Sequence, residues 1–246
     1  MSLAEEQRER YARHLTLPEI GADGQEKLAA SRVLLVGAGG LGSAAGFYLA
    51  AAGVGTLGIL DNDMVTLSNL QRQILHRTAD VGRAKVDSAA ERLHALNPEL
   101  HVVPLRVRLA QDNAGAILRD YDFVIDATDN FASKFLIADA CHALGRPYSH
   151  GGITRFLGQT MTVLPGRTAC YRCVFGQPPP EVAGARPAGP LGTVPGIIGC
   201  VQATEAVKFL LRIGELLTDR MLTCDALRMV VRCVPVRRNP ACPLCA

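Results

Sequence analysis

The sequence has little excess of either charge. Its 26 lysines and arginines nearly balance 23 aspartates and glutamates, for a formal net charge of +3 over 246 residues. So small a balance leaves no electrostatic footprint for nucleic acid or an anionic membrane, and neither is expected as a partner. No apolar run is expected to reach the length that spans a bilayer. The opening stretch MSLAEEQRERYARHL is polar and mixed in charge, without the apolar core of a signal peptide. Secretion is therefore not expected, and a cytoplasmic setting is. Internal repeats are absent. Cysteine is not scarce: there are 8. In a reducing compartment their expected use is metal binding rather than disulfides.

What is present reads as a compact globular chain, with 48% hydrophobic and 20% charged residues. The pattern predicts an amphipathic helix over 3–14 and a polar one over 24–30. Short β-branched runs predict strands at 33–37, 56–61, 101–107 and 123–128. Helices are expected between and after them, at 44–52, 85–96, 114–118 and 131–144. This alternation predicts an α/β fold, a Rossmann-like, doubly wound and mostly parallel sheet. After about Pro147 the pattern changes. Residues 158–164 alternate like an antiparallel strand, and 176–196 form a loop rich in proline, glycine and alanine. A helix is expected at 197–213, then a hairpin of 221–226 and 229–234. The reading is one domain of 1–246, with N-terminal helices in 1–30, a nucleotide-binding core in 31–150 and an antiparallel C-terminal extension in 151–246.

Gly37, Gly39 and Gly42 fit G-x-G-x-x-G between the first core strand and its helix. Such glycines let the backbone approach a phosphate at a helix N-terminus. Asp61 ends the next strand about 20 residues on, where a carboxylate accepts ribose hydroxyls. The motif alone suggests NAD, or merely tight helix–sheet packing. Three polar features point elsewhere. SNLQRQ, at 68–73, carries Asn69 and Arg72; VGRAK, at 81–85, ends in Lys85; DATDN, at 126–130, carries Thr128 and Asp129. Taken singly, Arg72 reads as a surface salt bridge, Lys85 as a solvated lysine, and Thr128 and Asp129 as helix caps. Together they place two cations and a carboxylate around a nucleotide. Hydride transfer has no use for them, whereas phosphoryl or nucleotidyl transfer does. The grouping favours a triphosphate over a dinucleotide.

Cys170-Tyr-Arg-Cys173 and Cys242-Pro-Leu-Cys245 are two Cys-x-x-Cys knuckles, the spacing of a four-thiolate structural zinc site. The plain alternative is two disulfides or free thiols. Cys141, Cys200, Cys224 and Cys233 read as buried strand or helix residues.

Taken jointly, RYARH (10–14), GAGGLGS (37–43), LDNDMVTLSNLQRQ (60–73), VGRAK, DATDN, CYRC (170–173), GCVQATEAVKFL (199–210) and RNPACPLC (238–245) resemble the ThiF/MoeB/HesA adenylyltransferases. These are bacterial relatives of ubiquitin-activating enzymes, and the likeness is nearest to those acting on molybdopterin-synthase or other sulfur carriers. The resemblance implies that Mg·ATP activates the C-terminal Gly-Gly carboxylate of a ubiquitin-like sulfur carrier protein, giving an acyl-adenylate and pyrophosphate ahead of thiocarboxylate formation. It implies nucleotide contacts from Gly37, Gly39, Gly40, Gly42, Asp61, Asp63, Ser68, Asn69, Leu70, Gln71, Arg72, Lys85, Asp129 and Asn130. Arg72, Lys85 and Asp129 would serve catalysis, Asp129 by positioning Mg²⁺. Arg13 would reach into the partner subunit's site of a homodimer, and the C-terminal part would bind the carrier. Cys170, Cys173, Cys242 and Cys245 would hold structural Zn²⁺.

One departure stands out. Many relatives carry a cysteine in the crossover loop where this chain has Ala185, and no cysteine lies between Cys173 and Cys200. A covalent transfer step on that loop is not expected. No rhodanese-like segment is recognised, so a separate protein is expected to donate sulfur. Three other readings remain open at this point. They are adenylation of a different peptide or small carboxylate, an NAD(P)-dependent oxidoreductase, and a zinc-stapled scaffold without activity. The carrier's pathway (molybdopterin, thiamine, tRNA thiolation, cysteine or natural product) is likewise open.

Overall fold

A computed structural model describes residues 3–178 and 189–245; Ala185 lies outside them. One eight-stranded sheet organises the described chain, in the order β3-β2-β1-β4-β5-β6-β7-β8. Strands β1 (Arg32–Val36), β2 (Thr56–Leu60), β3 (His101–Leu105), β4 (Phe123–Asp126) and β5 (Tyr148–Thr154) run parallel. Strands β6 (Leu157–Val163), β7 (Arg220–Asp225) and β8 (Val230–Pro235) add antiparallel at one side. This is the mixed sheet expected of the sequence.

The run RVLLV shows why the sheet is covered on both faces. Successive side chains of a strand point to opposite sides. Val33 and Leu35 enter a layer with Leu49, Leu93 and Ile198. Leu34 and Val36 enter the other, with Leu118, Phe135 and Ile137. Helices α4 (Gly40–Ala52), α5 (Lys85–Leu96) and α9 (Thr193–Leu211) supply the first layer, and α6 (Gln111–Leu118) and α7 (Phe131–Leu144) the second. Because β2 and β4 flank β1, the connections leaving β1 and β4 diverge at their C-terminal ends. A crevice opens there, as it does at such switch points generally.

Several elements depart from expectation for local reasons. The helix expected over 3–14 is broken into α1 (Glu5–Arg10) and α2 (Ala12–Leu15). Tyr11 turns inward at the break, where its hydroxyl accepts a 2.9 Å hydrogen bond from Asn97 Nδ2. α3 (Gly21–Ala30) and α4 begin a turn earlier than the apolar pattern suggested, both at glycines. β5 was not expected at all, since its centre, His150-Gly151-Gly152, has neither alternation nor β-propensity. The short helix α8 (Tyr171–Phe175), between the first pair of cysteines and beyond, was also missed. α9 starts at Thr193 instead of 197 and takes in Pro195. Proline fits a first helical turn because its missing N–H has no intrahelical acceptor there.

Two expectations are corrected. α9 has 19 residues and a mean hydropathy of 1.3, enough by length and composition to cross a membrane. Half of that window is buried against α4 and the sheet, so its apolarity is that of a core helix. Cys233 is exposed and Cys200 half-buried, while Cys141 and Cys224 are buried. Cys233 sits on β8, the edge strand, whose residues are mostly uncovered.

Candidate active site

The glycine-rich turn between β1 and α4 is held by its backbone. Gly37 N donates to Leu60 O at 2.8 Å, and Ala38 N donates to Asp61 Oδ2 at 2.8 Å. His76 Nε2 lies 3.0 Å from Ala38 O, with Nδ1 2.9 Å from Ser88 Oγ. Gly37 has a φ of +104°, and a side chain there would meet Ala127 O at 2.7 Å. A Cβ on Gly42 would lie 2.0 Å from Gly37 O. Gly42 is thus the glycine that lets α4 close onto the turn.

Beyond this turn lies a cleft of about 370 Å³. Among the residues singled out from the sequence, Gly37, Gly39, Gly40, Asp61, Asp63, Arg72, Lys85, Asp129 and Asn130 line it. They come from the C-terminal ends of β1, β2 and β4, the start of α5 and the loop after β2. Asp61 accepts a second amide, from Asp63 N at 2.9 Å, which leaves lone pairs on both oxygens. Lys85 is 6% exposed, with Nζ 2.9 Å from Asp63 Oδ2 and 3.7 Å from Asp61 Oδ2. Arg72 is half-buried and donates to Ser68 O at 3.3 Å.

Asp129 is exposed and belongs to no ion pair among the described residues. Its Oδ1 accepts from Asn130 Nδ2 at 3.5 Å. The cap of α7 is Asn130, whose Oδ1 accepts from Ser133 N at 2.9 Å. Thr128, read as a possible cap, instead donates its hydroxyl to Asp126 Oδ1 at 2.6 Å.

Gly42, Ser68, Asn69, Leu70 and Gln71 do not line the cleft. Asn69 Oδ1 accepts from Thr66 N at 3.2 Å and so shapes the 3-10 turn Leu67–Asn69 that presents Arg72. Arg13 is exposed on α2, away from the cleft lining of its own chain. Arg108 also lines the cleft and was missed; its position just past β3, at the same sheet edge, was the available signal.

A second cavity, of about 620 Å³, adjoins the first and shares Thr128, Asp129, Asn130 and Ile153 with it. Its lining includes Lys134 and His150, which join Asp126 in a buried network that sequence reasoning missed. Lys134 Nζ lies 3.2 Å from Asp126 Oδ2 and also donates to Gly151 O. His150 Nδ1 lies 3.1 Å from Asp126 Oδ2. Burial pushes the Asp126 carboxyl up, but Lys134, His150 and Thr128 together outweigh it and hold the group at about 2. Asp126 is therefore ionised at any physiological pH.

At the far side of Tyr171, the thiols of Cys170, Cys173, Cys242 and Cys245 lie within 4.8 Å of one another. Cys170 Sγ is 3.7 Å from Cys173 Sγ and 3.6 Å from Cys242 Sγ. Four thiolates about 2.3 Å from one tetrahedral centre are roughly 3.8 Å apart, so the cluster fits a single zinc ion.

The profile of the ThiF family matches residues 11–244. The chain is 46% identical over 247 residues to the SAMP-activating enzyme E1 of Haloferax volcanii, covering 100% of this chain and 91% of that one. It is 45% identical over 252 residues to the sulfur carrier protein adenylyltransferase of Thermus thermophilus, covering 100% and 93%. Against the probable adenylyltransferase/sulfurtransferase MoeZ of Mycobacterium tuberculosis, identity is 44% over 248 residues, covering 98% of this chain and only 63% of that one. The crystal structure of Escherichia coli MccB with ATP superimposes with a TM-score of 0.85, over 100% of this chain and 76% of that one. At 22% identity this last is a likeness of fold. With its glycine turn, cations and free carboxylate gathered at one switch point, the chain belongs to the ThiF family and is an adenylyltransferase, a nucleotidyltransferase.

Proposed function

We propose that the chain, as one adenylation unit of residues 1–246, activates the C-terminal Gly-Gly carboxylate of a ubiquitin-like sulfur carrier protein with ATP. The observation that carries this reading is the meeting of two cavities at Asp129. The smaller, with the glycine turn and Asp61, suits a nucleotide. The larger leads to the same carboxylate from the other side and suits the carrier's tail.

In the reaction, a carboxylate oxygen of the tail bonds to the α-phosphorus. The bond from that phosphorus to the bridging oxygen breaks, and pyrophosphate leaves with the electron pair. The N-terminus of α4, at Gly39 and Gly40, offers amides and a positive dipole end to the phosphates. Asp61, already fixed by two backbone amides, accepts the ribose hydroxyls. Arg72 and Lys85 stabilise charge on the phosphate oxygens, Arg72 through its planar fork. Asp129 would hold Mg²⁺, which would supply further neutralisation of phosphate charge. The exposed carboxylate of Asp129, in no ion pair among the described residues, fits that role. The four cysteines hold structural Zn²⁺. A separate protein supplies sulfur to the acyl-adenylate, in the cytoplasm.

Carrier-dependent exchange of labelled pyrophosphate into ATP tests this reading. Exchange is expected with a ubiquitin-fold protein ending in Gly-Gly and not with the same protein lacking both glycines. Calorimetry should show Mg·ATP binding and no comparable binding of NAD. Tight NAD binding with no detectable ATP binding would overturn the proposal.

The reading includes a homodimer in which Arg13 of the partner subunit completes each site. Its exposure on α2, outside its own chain's cleft, supports this. Arg13→Ala and Asp129→Ala should each be inactive alone. In a C2 dimer, remixing them leaves one intact site in each mixed pair. Exchange activity should then return to about a quarter of wild type, since about half of the dimers are mixed. No recovery after verified subunit exchange would place Arg13 outside the partner's site.

A further inference from the structure

The larger cavity ends on an imidazole whose position the adenylation chemistry does not explain. His150 is 1% exposed, and its Nε2 has no hydrogen-bond partner among the described residues. Leaving a buried polar atom unsatisfied costs about 1–3 kcal/mol, so such atoms are few and have reasons. His150 borders the cavity. A Cβ built on Gly152 would sit 3.4 Å from His150 Nε2 and 3.4 Å from Gln159 Nε2. All three residues line the cavity. A side chain on Gly152 would stand against Nε2.

The hydrogen-bonding character of that nitrogen follows from its surroundings. Asp126 is ionised and can only accept, so the proton of a neutral imidazole lies on Nδ1. Burial keeps His150 below its ordinary pKa; Asp126 raises it, and the Lys134 ammonium lowers it again. The ring is thus neutral at physiological pH, and Nε2 presents a lone pair. Its orientation is pinned by the rings of Tyr171 and Phe175, at 4.7 and 5.7 Å between centroids. A carboxylate or phosphate brought there would set lone pair against lone pair. An N–H would be accepted. Beside it, the Gln159 amide offers both a donor and an acceptor, and Gly152 permits close approach of another backbone.

We propose that His150 is a specificity-determining residue whose Nε2 accepts a backbone N–H of the substrate tail as it passes Gly152 towards Asp129. The enzyme thereby selects extended peptides over small free carboxylates. This rests on the adenylation reading above and names what the larger cavity takes.

The probe is a synthetic peptide ending in Gly-Gly, alongside versions in which each of the last two amide N–H groups is replaced in turn by an ester oxygen. Binding to the full chain is followed by calorimetry and by the ¹⁵N resonance of His150 Nε2. One ester is expected to bind wild-type protein about tenfold more weakly than the all-amide peptide. The Nε2 resonance should shift with the all-amide peptide and not with that ester. His150→Asn keeps a donor towards Asp126 and loses the acceptor. It should bind the peptides about equally, at the weaker level, with ATP affinity unchanged. His150→Gln, which restores an acceptor near Nε2, should recover the preference.

Equal binding of all peptides by wild type, no peptide binding, or an Nε2 resonance already that of a water-bonded nitrogen and unmoved by peptide would each overturn the proposal. These measurements need no turnover. Pyrophosphate exchange that ignores the ester overturns the role of His150 and leaves adenylation standing. His150-dependent peptide binding without exchange does the reverse.

Discussion

Asp129→Ala should lower pyrophosphate exchange on the order of a thousandfold or more, while melting temperature stays near that of the wild type. A thousandfold corresponds to ~4 kcal/mol of transition-state stabilisation, the scale expected when a carboxylate that positions a metal at the reacting phosphate is lost. The fold should not notice. Asp129 is exposed and, among the described residues, carries no ion pair and makes a single side-chain hydrogen bond, 3.5 Å to Asn130. The helix it precedes is capped by Asn130, not by Asp129. Asn130→Ala is therefore the matched control, expected to cost ~1 kcal/mol in stability through the lost cap. If Asp129→Ala exchanged pyrophosphate at near wild-type rate, its place at the junction of the two cavities would have no catalytic meaning.

That pair of neighbours shows what a sequence can and cannot disclose. DATDN is legible as a polar stretch closing a strand at the ligand-binding edge of the sheet. Which of its members caps the helix depends on backbone geometry, and it proved to be Asn130. The same holds for SNLQRQ. Arg72 lines the cleft, whereas Asn69, of equal prominence in the sequence, is spent on its own turn. Strands β1, β2 and β4 were legible because burial on both faces demands continuous apolar runs. β5 was not, because its His-Gly-Gly centre has neither alternation nor β-propensity, although all three residues pair with β6.

The buried network was harder to see for a different reason. Asp126, Lys134 and His150 lie on β4, α7 and β5, and only the fold brings them together. One trace was available: Lys134 interrupts the apolar stretch FASKFLIADA, where a cation with no partner would be costly. Its partner, Asp126, ends the preceding strand. His150 had no such trace, since the strand that carries it was itself unrecognised.

Zinc removal should couple to that network. The four thiols cluster within 4.8 Å and tie the end of the chain at Cys242 and Cys245 to α8. Between the first two thiols sits Tyr171, fully buried, with its ring 4.9 Å from Phe135 and 4.7 Å from His150. The thiol cluster therefore backs one wall of the larger cavity. Protein purified without added metal should contain one zinc per chain. Cys173→Ser should lose it, along with the anchor of the C-terminal segment. Structural zinc in small peptides contributes ~10–16 kcal/mol of apparent binding energy. A domain of this size has a large core besides, so a net loss nearer ~4 kcal/mol is expected, or roughly 10 °C in Tm. The peptide affinity of the larger cavity should fall with it, because Tyr171 and Phe175 would no longer pin the imidazole. ATP affinity should hold, since none of the four cysteines borders the smaller cleft. Metal analysis and thermal melting decide the first part. A Cys173→Ser protein with its full zinc and an unchanged Tm would show that the four sulfurs gather for packing alone. Equal loss of ATP and peptide binding would show that the zinc supports the whole fold and not that wall.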